Sequence, residues 1–227
     1  MIEGIKAIGF DLDGTFLRTK VDYAKLEQVD RNLFASMNIP FDEIYGPNPD
    51  QKRPREPVRK WLVEHGRADE FPEIERIIDQ RFSNIELENM YESIPFPGSL
   101  EAVAEAKAMG LKVGLLTRGS TEYGIRSLKH VGIYESFDVV MGRDHSSYDN
   151  AKPSPKAMIE FAGELGVEPR EIVYVGDSVS DYISAHGAGA TFVAVTSGKV
   201  DEAMWMKVDP NLTVLTYAGQ AIELLKG

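Results

Sequence analysis

From residue 97 onward the chain alternates short apolar runs with segments whose apolar residues recur at helical spacing. Short apolar runs are typical of buried strands, and apolar residues three and four apart are typical of helices. The predicted strands are residues 5–10, 111–117, 137–142, 171–176, 191–197 and 212–216. The predicted helices are residues 99–110, 120–132, 154–166, 180–189 and 217–227. This alternation predicts a Rossmann-like, doubly wound α/β core, in which helices cover both faces of a parallel sheet.

Residues 21–92 have a different pattern. Their apolar positions recur at helical spacing, and no segment is typical of a strand. They separate the first predicted strand from the second. The simplest interpretation is an all-helical cap domain, residues 19–93, inserted into a core formed by residues 1–18 and 94–227.

The composition of the chain argues against several classes of partner and site. The 227 residues include 36 acids and 25 bases, a formal net charge of −11, which argues against nucleic acid as a partner. The absence of cysteine excludes disulfides, zinc–thiolate sites and thiol nucleophiles. The N-terminal residues do not resemble a signal peptide, and no apolar run approaches the ~18 residues needed to span a membrane. We therefore expect a cytoplasmic protein that does not bind membranes; the sequence does not indicate its oligomeric state.

Polar residues follow the predicted strands, where ligands bind in open parallel sheets. The loops after the strands contain four acids, a lysine, an arginine, hydroxyl residues and glycines. The residues concerned are Asp11, Asp13, Gly14, Thr15, Thr117, Arg118, Gly119, Ser120, Lys152, Gly176, Asp177, Ser178 and Asp181.

Clustered carboxylates repel one another unless a cation lies between them. A few carboxylates with open coordination positions suit Mg²⁺, whereas the lack of cysteine and of paired histidines argues against zinc. Lysine and a helix N-terminus would add positive potential for an anion. The predicted site therefore combines Mg²⁺, an anion and an ionised carboxylate, which suits nucleophilic attack on phosphorus.

Four segments resemble the motifs of the haloacid dehalogenase superfamily, in the family's order. They are "DLDGT" at 11–15, "GLLT" ending at Thr117, "AKPSP" containing Lys152, and "GDSVSD" at 176–181. The helical insertion matches the family's C1-type cap in position and character. A similar architecture occurs in phosphoglycolate phosphatases and β-phosphoglucomutases.

The resemblance implies a role for each motif residue. Asp11 would attack phosphorus and form an aspartyl-phosphate, and Asp13 would protonate the leaving oxygen and then deprotonate water. Mg²⁺ would be bound by Asp11, the carbonyl oxygen of Asp13, and Asp177. Asp181 would act on the ion indirectly or through water and would also orient Lys152.

The resemblance also implies a phosphate-binding set. Gly14 would permit close approach of the backbone, Thr15 would fix the loop, and Thr117 with Gly119 and Lys152 would hold the phosphoryl oxygens. Arg118 departs from the small or amide side chains common at this place in the family. It either contacts substrate or turns towards solvent.

Asp13 favours phosphoryl transfer, because the family's dehalogenases generally lack an acid there. The expected function is a Mg²⁺-dependent phosphatase acting on a small phosphorylated metabolite, over which the cap would close. Three alternatives stay open: a phosphomutase of the β-phosphoglucomutase type, a phosphonatase with a cap lysine, and a non-catalytic interaction protein.

A basic segment stands out in the predicted cap. Lys52, Arg53 and Arg55 lie close together in an otherwise acidic chain. They are candidate specificity residues for an anionic leaving group, and the alternative is a solvated entry to a helix.

Overall fold

The computed structural model describes residues 4–46 and 53–226. The chain divides into two compact units. The first contains the described residues up to Lys20 and from Met90 onward, and the second contains those between Val21 and Asn89.

The first unit is built on a six-stranded parallel sheet. Its strands are β1 (Ala7–Phe10), β4 (Lys112–Leu116), β5 (Val139–Met141), β6 (Ile172–Gly176), β7 (Thr191–Val195) and β8 (Thr213–Leu215). The order across the sheet is β5-β4-β1-β6-β7-β8, so β1 lies between β4 and β6. All residues of β1 and β6 are buried, as expected of central strands covered on both faces. The predicted fold class is confirmed.

Helices flank this sheet. They are α5 (Ser99–Ala108), α6 (Thr121–His130), α7 (Pro155–Leu165), α8 (Val179–Ala188) and α9 (Glu202–Val208). The largest buried side chains of one core cluster, Phe161, Tyr174, Phe192 and Trp205, come from helices and strands alike. Gly9 and Gly114 leave room for Phe161, because a Cβ on either glycine would overlap its ring. The sheet and α7 thus pack closely beneath the ends of the central strands.

Four elements of this unit differ from the sequence prediction. Two-residue strands β2 (Leu17–Arg18) and β3 (Ile94–Pro95) form an antiparallel pair, too short to leave a periodic pattern. The helix α9 was not predicted; its Trp205 is fully buried and donates from Nε1 to Val195 O at 3.1 Å. The predicted C-terminal α-helix is instead a 3₁₀ helix, Ala218–Leu224.

The described part of the second unit is helical. It contains α1 (Tyr23–Ser36), α2 (Phe41–Tyr45), α3 (Glu56–Glu64) and α4 (Phe71–Glu88). Its own core consists of Leu26, Val29, Leu33, Phe34, Ile39, Phe41, Val58, Leu62, Ile74, Ile78 and Phe82. Among residues 4–46 and 53–226, no helix has both the length and the hydropathy that crossing a membrane requires.

Candidate active site

The central strands bring the predicted catalytic residues together at one edge of the sheet. Asp11 follows β1, Asp177 follows β6, and Asp181 lies in the first turn of α8. Lys152, from the loop before α7, donates from Nζ to Asp11 Oδ1 at 2.7 Å and to Asp181 Oδ1 at 2.5 Å. These four side chains are almost completely buried.

Further contacts fix the Lys152 ammonium group. Nζ lies 2.8 Å from both Leu116 O and Tyr174 Oη, and Tyr174 Oη donates to Leu116 O at 2.7 Å. Asp181 is held from the other side, because its Oδ2 accepts from Ser178 N at 3.0 Å and from Ser178 Oγ at 2.6 Å. Asp181 therefore closes a capping box of α8 and contacts the lysine at the same time.

Three carboxylates of this cluster could hold a metal ion. Asp11, Asp177 and Asp181 each offer an oxygen within 4.8 Å of the others. Three acids and one lysine leave the group with excess negative charge, which a divalent cation would offset. The Asp13 carboxyl has other partners: its Oδ1 accepts from Thr19 Oγ1 at 2.6 Å and from Tyr123 Oη at 2.7 Å.

The electrostatics of the cluster reflect this crowding. Burial raises the pKa of Asp11 well above its usual range; Lys152 opposes the shift, and Asp181 and Asp177 add to it. Burial, together with the charge of Asp181, raises the pKa of Asp177 to about 7. Burial alone would lower the pKa of Lys152, but Asp11 and Asp181 raise it above its usual value. Lys152 thus stays charged, and its ammonium group alone offsets the charge of the acids in this cluster.

Asp177 lies in a narrow space between two loops. Thr15 Oγ1 donates to its Oδ1 at 3.2 Å, so this hydroxyl serves Asp177, whereas the sequence predicted a place for Thr15 in the phosphate-binding set. Gly14 has φ +83°, and a Cβ there would lie 2.5 Å from Asp177 Oδ2. A Cβ on Gly198 would overlap the same carboxylate. Both glycines therefore let the backbone approach the acid closely.

The loop after β4 carries the predicted phosphate-binding residues. Thr117 is buried, and its Oγ1 accepts from Gly119 N at 2.9 Å, which leaves the hydroxyl proton for an incoming oxygen. Arg118 is half-buried, and its carbonyl oxygen accepts from Arg143 Nη1 at 3.4 Å. Contact of these residues with phosphate stays a prediction.

Known proteins share this architecture. A family model for haloacid dehalogenase-like hydrolases matches residues 5–189. The chain belongs to the haloacid dehalogenase-like hydrolases. A phosphoglycolate phosphatase of Thiobacillus denitrificans is 27% identical over 229 residues, covering 98% of this chain and 96% of that protein. An N-acetylmuramic acid 6-phosphate phosphatase of Pseudomonas aeruginosa is 25% identical over 201 residues, with 86% and 84% covered.

A solved structure supports the same fold. A crystal structure described as a predicted phosphoglycolate phosphatase from Haemophilus somnus matches with a TM-score of 0.63 at 22% identity, covering 100% of both chains. The family model and the phosphoglycolate phosphatase relatives confirm the family and the enzyme class predicted from the sequence, a haloacid dehalogenase-like phosphoric monoester hydrolase.

Sequence reasoning missed several residues of this hydrolase site. Tyr123 and Tyr174 are fully buried and contact Asp13 and Lys152, respectively. Gly198 borders Asp177. The position of Gly198 shortly after a predicted strand was a usable signal, whereas the tyrosines resemble ordinary core residues in the sequence.

The candidate specificity residues lie in the second unit. Lys52 falls outside the described residues. Arg53 is buried and donates from Nη1 to Asp30 Oδ2 at 2.9 Å. Arg55 is also buried and forms a bidentate ion pair with Asp79, with N–O distances of 2.7 and 3.1 Å. Both arginines are therefore buried in ion pairs with acids of their own unit, so the alternative of a solvated helix entry is wrong for them. Their contact with a substrate stays untested.

Proposed function

We propose that this chain is a Mg²⁺-dependent phosphatase that hydrolyses a small phosphomonoester through an aspartyl-phosphate on Asp11. The observation that carries the proposal is the buried contact between Asp11 Oδ1 and Lys152 Nζ, with Asp177 and Asp181 alongside. A buried carboxylate beside a fixed ammonium group can act as a nucleophile while the lysine offsets charge on the phosphoryl oxygens.

The reaction has two steps. An Asp11 oxygen bonds to phosphorus as the ester P–O bond breaks, and the leaving oxygen keeps that electron pair and takes a proton from Asp13. A water molecule then attacks phosphorus and gives a proton to Asp13, and the bond between phosphorus and Asp11 breaks, returning its electron pair to the carboxylate. Throughout, Lys152 and Thr117 would hold the phosphoryl oxygens.

The acids at this site fit Mg²⁺. Hard carboxylate oxygens from Asp11 and Asp177 and the carbonyl oxygen of Asp13 would hold it, and Asp181 would orient Lys152 or act through water. When bound, Mg²⁺ would polarise a phosphoryl oxygen and offset charge that develops on it.

The names of the relatives support a substrate class for this proposal. They include enzymes named for phosphoglycolate and for N-acetylmuramic acid 6-phosphate, which are both small phosphomonoesters with a second functional group. We infer a small phosphorylated metabolite for this chain. A screen of phosphorylated carboxylic acids and sugar phosphates, with phosphate release as the readout, would select among them.

The nucleophile is tested by Asp11→Asn. An amide cannot form the aspartyl-phosphate, so Mg²⁺-dependent hydrolysis of 4-nitrophenyl phosphate should fall by at least about a thousandfold. Rapid quenching of the unsubstituted enzyme with substrate, followed by peptide mass spectrometry, should detect one phosphoryl group on the peptide that contains Asp11.

A matched control is Asp201→Asn. Asp201 caps α9, accepting from Met204 N at 2.8 Å, and Asn caps helices equally well. This variant should keep its turnover. Normal turnover of Asp11→Asn, or activity that EDTA does not change, would overturn the nucleophile or the metal assignment, respectively.

A further inference from the structure

The Tyr123 hydroxyl contacts Asp13, the acid that the proposed reaction uses for proton transfer. Tyr123 lies in the first turn of α6 and is fully buried. Its Oη donates to Asp13 Oδ1 at 2.7 Å, although the two residues are 110 positions apart in the chain. A buried phenol hydroxyl normally finds a partner, but here the partner is a site carboxylate.

The start of α6 places this tyrosine. Ser120 caps the helix and accepts from Tyr123 N at 3.3 Å, which fixes the backbone at Tyr123. A Cβ on Gly119 would lie 2.6 Å from Tyr123 Cδ1, so the ring occupies space that any other residue at 119 would fill. Gly119 therefore has a structural role besides its predicted role in phosphate binding, because it leaves room for the Tyr123 ring.

We propose that Tyr123 is a positioning residue that holds the Asp13 carboxyl group in the orientation needed to protonate the leaving oxygen. The proposal rests on the proposed function. Thr19 Oγ1 donates to the same oxygen, Oδ1, at 2.6 Å. An oxygen that accepts two hydroxyl hydrogens does not also hold the acid proton, so the transferable proton lies on Oδ2.

This arrangement sets the direction of proton transfer in the first step. As an Asp11 oxygen bonds to phosphorus, the ester P–O bond breaks and its electron pair stays on the leaving oxygen, which takes the proton from Asp13 Oδ2. Asp13 is then a carboxylate, and the water that attacks in the second step returns a proton to it. The Tyr123 and Thr19 hydroxyls keep their protons throughout and serve only to orient the carboxyl.

The leaving group distinguishes positioning from a merely structural role. Phenolate is a basic leaving group that needs the proton from Asp13, whereas 2,4-dinitrophenolate leaves readily without it. Loss of the Tyr123 hydroxyl should therefore slow phenyl phosphate much more than 2,4-dinitrophenyl phosphate. A general loss of packing would slow both esters alike.

The experiment compares Tyr123→Phe with the unsubstituted protein on these two esters in Mg²⁺. We expect kcat/KM for phenyl phosphate to fall by about tenfold or more, and kcat/KM for the dinitrophenyl ester to change by less than about twofold. The matched control is Tyr134→Phe, which removes a hydroxyl from a half-buried tyrosine of the same unit. It should leave both values unchanged.

Thermal unfolding of Tyr123→Phe checks that it is folded, and Thr19→Val supplies a second route if it is not. Because Thr19 donates to the same oxygen, Thr19→Val should produce the same selective loss. Thr19→Ser keeps a hydroxyl and should therefore hydrolyse phenyl phosphate at the rate of the unsubstituted protein. Equal losses with both esters, or no loss with either, would overturn the positioning role. If the unsubstituted protein hydrolyses neither ester, the proposed function fails instead.

Discussion

Each unit of the molecule buries an ion cluster, but the two clusters differ in their balance of charge. In the first unit, Lys152 is the single base among three acids, Asp11, Asp177 and Asp181. In the second unit, Arg53 pairs with one acid, Asp30, at 2.9 Å. Burial and short distances are common to both, so neither property distinguishes a functional site from a structural one.

The charge ratio is what distinguishes them. A one-to-one pair balances its own charge, although burying it costs solvation free energy. Three acids around one lysine cannot all stay ionised without a further cation. The first cluster could therefore hold a further cation, and the second joins segments of the helical unit.

The largest expected effect comes from Lys152→Met. Without the ammonium group, Asp11 and Asp181 repel each other, and in the proposed reaction the phosphoryl oxygens lose a charged donor. Turnover of 4-nitrophenyl phosphate in saturating Mg²⁺ should fall by about a thousandfold or more, about 4 kcal/mol in activation free energy. A steady-state assay, with circular dichroism to check folding, measures this. Retention of more than about a tenth of the turnover would remove the distinction between the clusters.

Arg53→Met should instead affect stability. The change leaves Asp30 buried without its partner, and burial already raises the pKa of that acid. We expect the free energy of unfolding in urea to fall by about 3 kcal/mol. A rise in KM for the natural substrate without such a loss would favour the specificity role predicted from the sequence.

A double variant sharpens this test. Arg53 Nε and Nη2 and Asp30 Oδ1 have no hydrogen-bond partner among the described residues, so the pair is imperfectly satisfied. Replacing both by apolar residues, as in Asp30→Leu with Arg53→Met, should recover much of the lost stability. Failure to recover would mean that the pair contributes more than the removal of an unpaired charge.

The sequence could predict the sheet and the grouping of the candidate site residues because both depend on local patterns. Asp11, Thr117 and Asp177 each follow an apolar run, and parallel strands bring such positions to one edge. Lys152 precedes a helix with clear start signals, Ser154 and Pro155. These residues could be placed without knowing any contact between distant segments.

The remaining contacts depend on distant parts of the chain. Tyr123 reaches Asp13 across 110 positions, and nothing near either residue in the sequence indicates the pairing. Arg53 lies in a basic segment that suggested either substrate or solvent, but its partner Asp30 lies on α1, 23 positions away. A local pattern of charge cannot reveal whether a charged side chain is paired within the core.

The smallest expected effect is a pH-dependent response of stability to Mg²⁺, which only the acid-rich cluster should show. The pKa of Asp177 is raised to about 7 in the folded protein, from about 3.9 in an unfolded chain. The folded state therefore binds more protons than the unfolded state between these values. The proton bound to Asp177 therefore stabilises the folded protein. This contribution to stability is fully present below about pH 4 and is lost as pH rises through about 7.

At high pH, Mg²⁺ should stabilise the folded protein in place of the proton that Asp177 binds at low pH. At pH 8 the acids are ionised and bind the ion, so millimolar Mg²⁺ should stabilise the protein by about 2 kcal/mol relative to EDTA. At pH 5.5 the ion must displace a proton from Asp177, and the stabilisation should fall below about 1 kcal/mol. Urea unfolding at both values, with and without Mg²⁺, measures the difference. Asp177→Asn should abolish this difference, whereas Arg53→Met should preserve it because the change leaves Asp11, Asp177 and Asp181 intact. Equal stabilisation at both pH values would contradict the assignment of the ion to these acids.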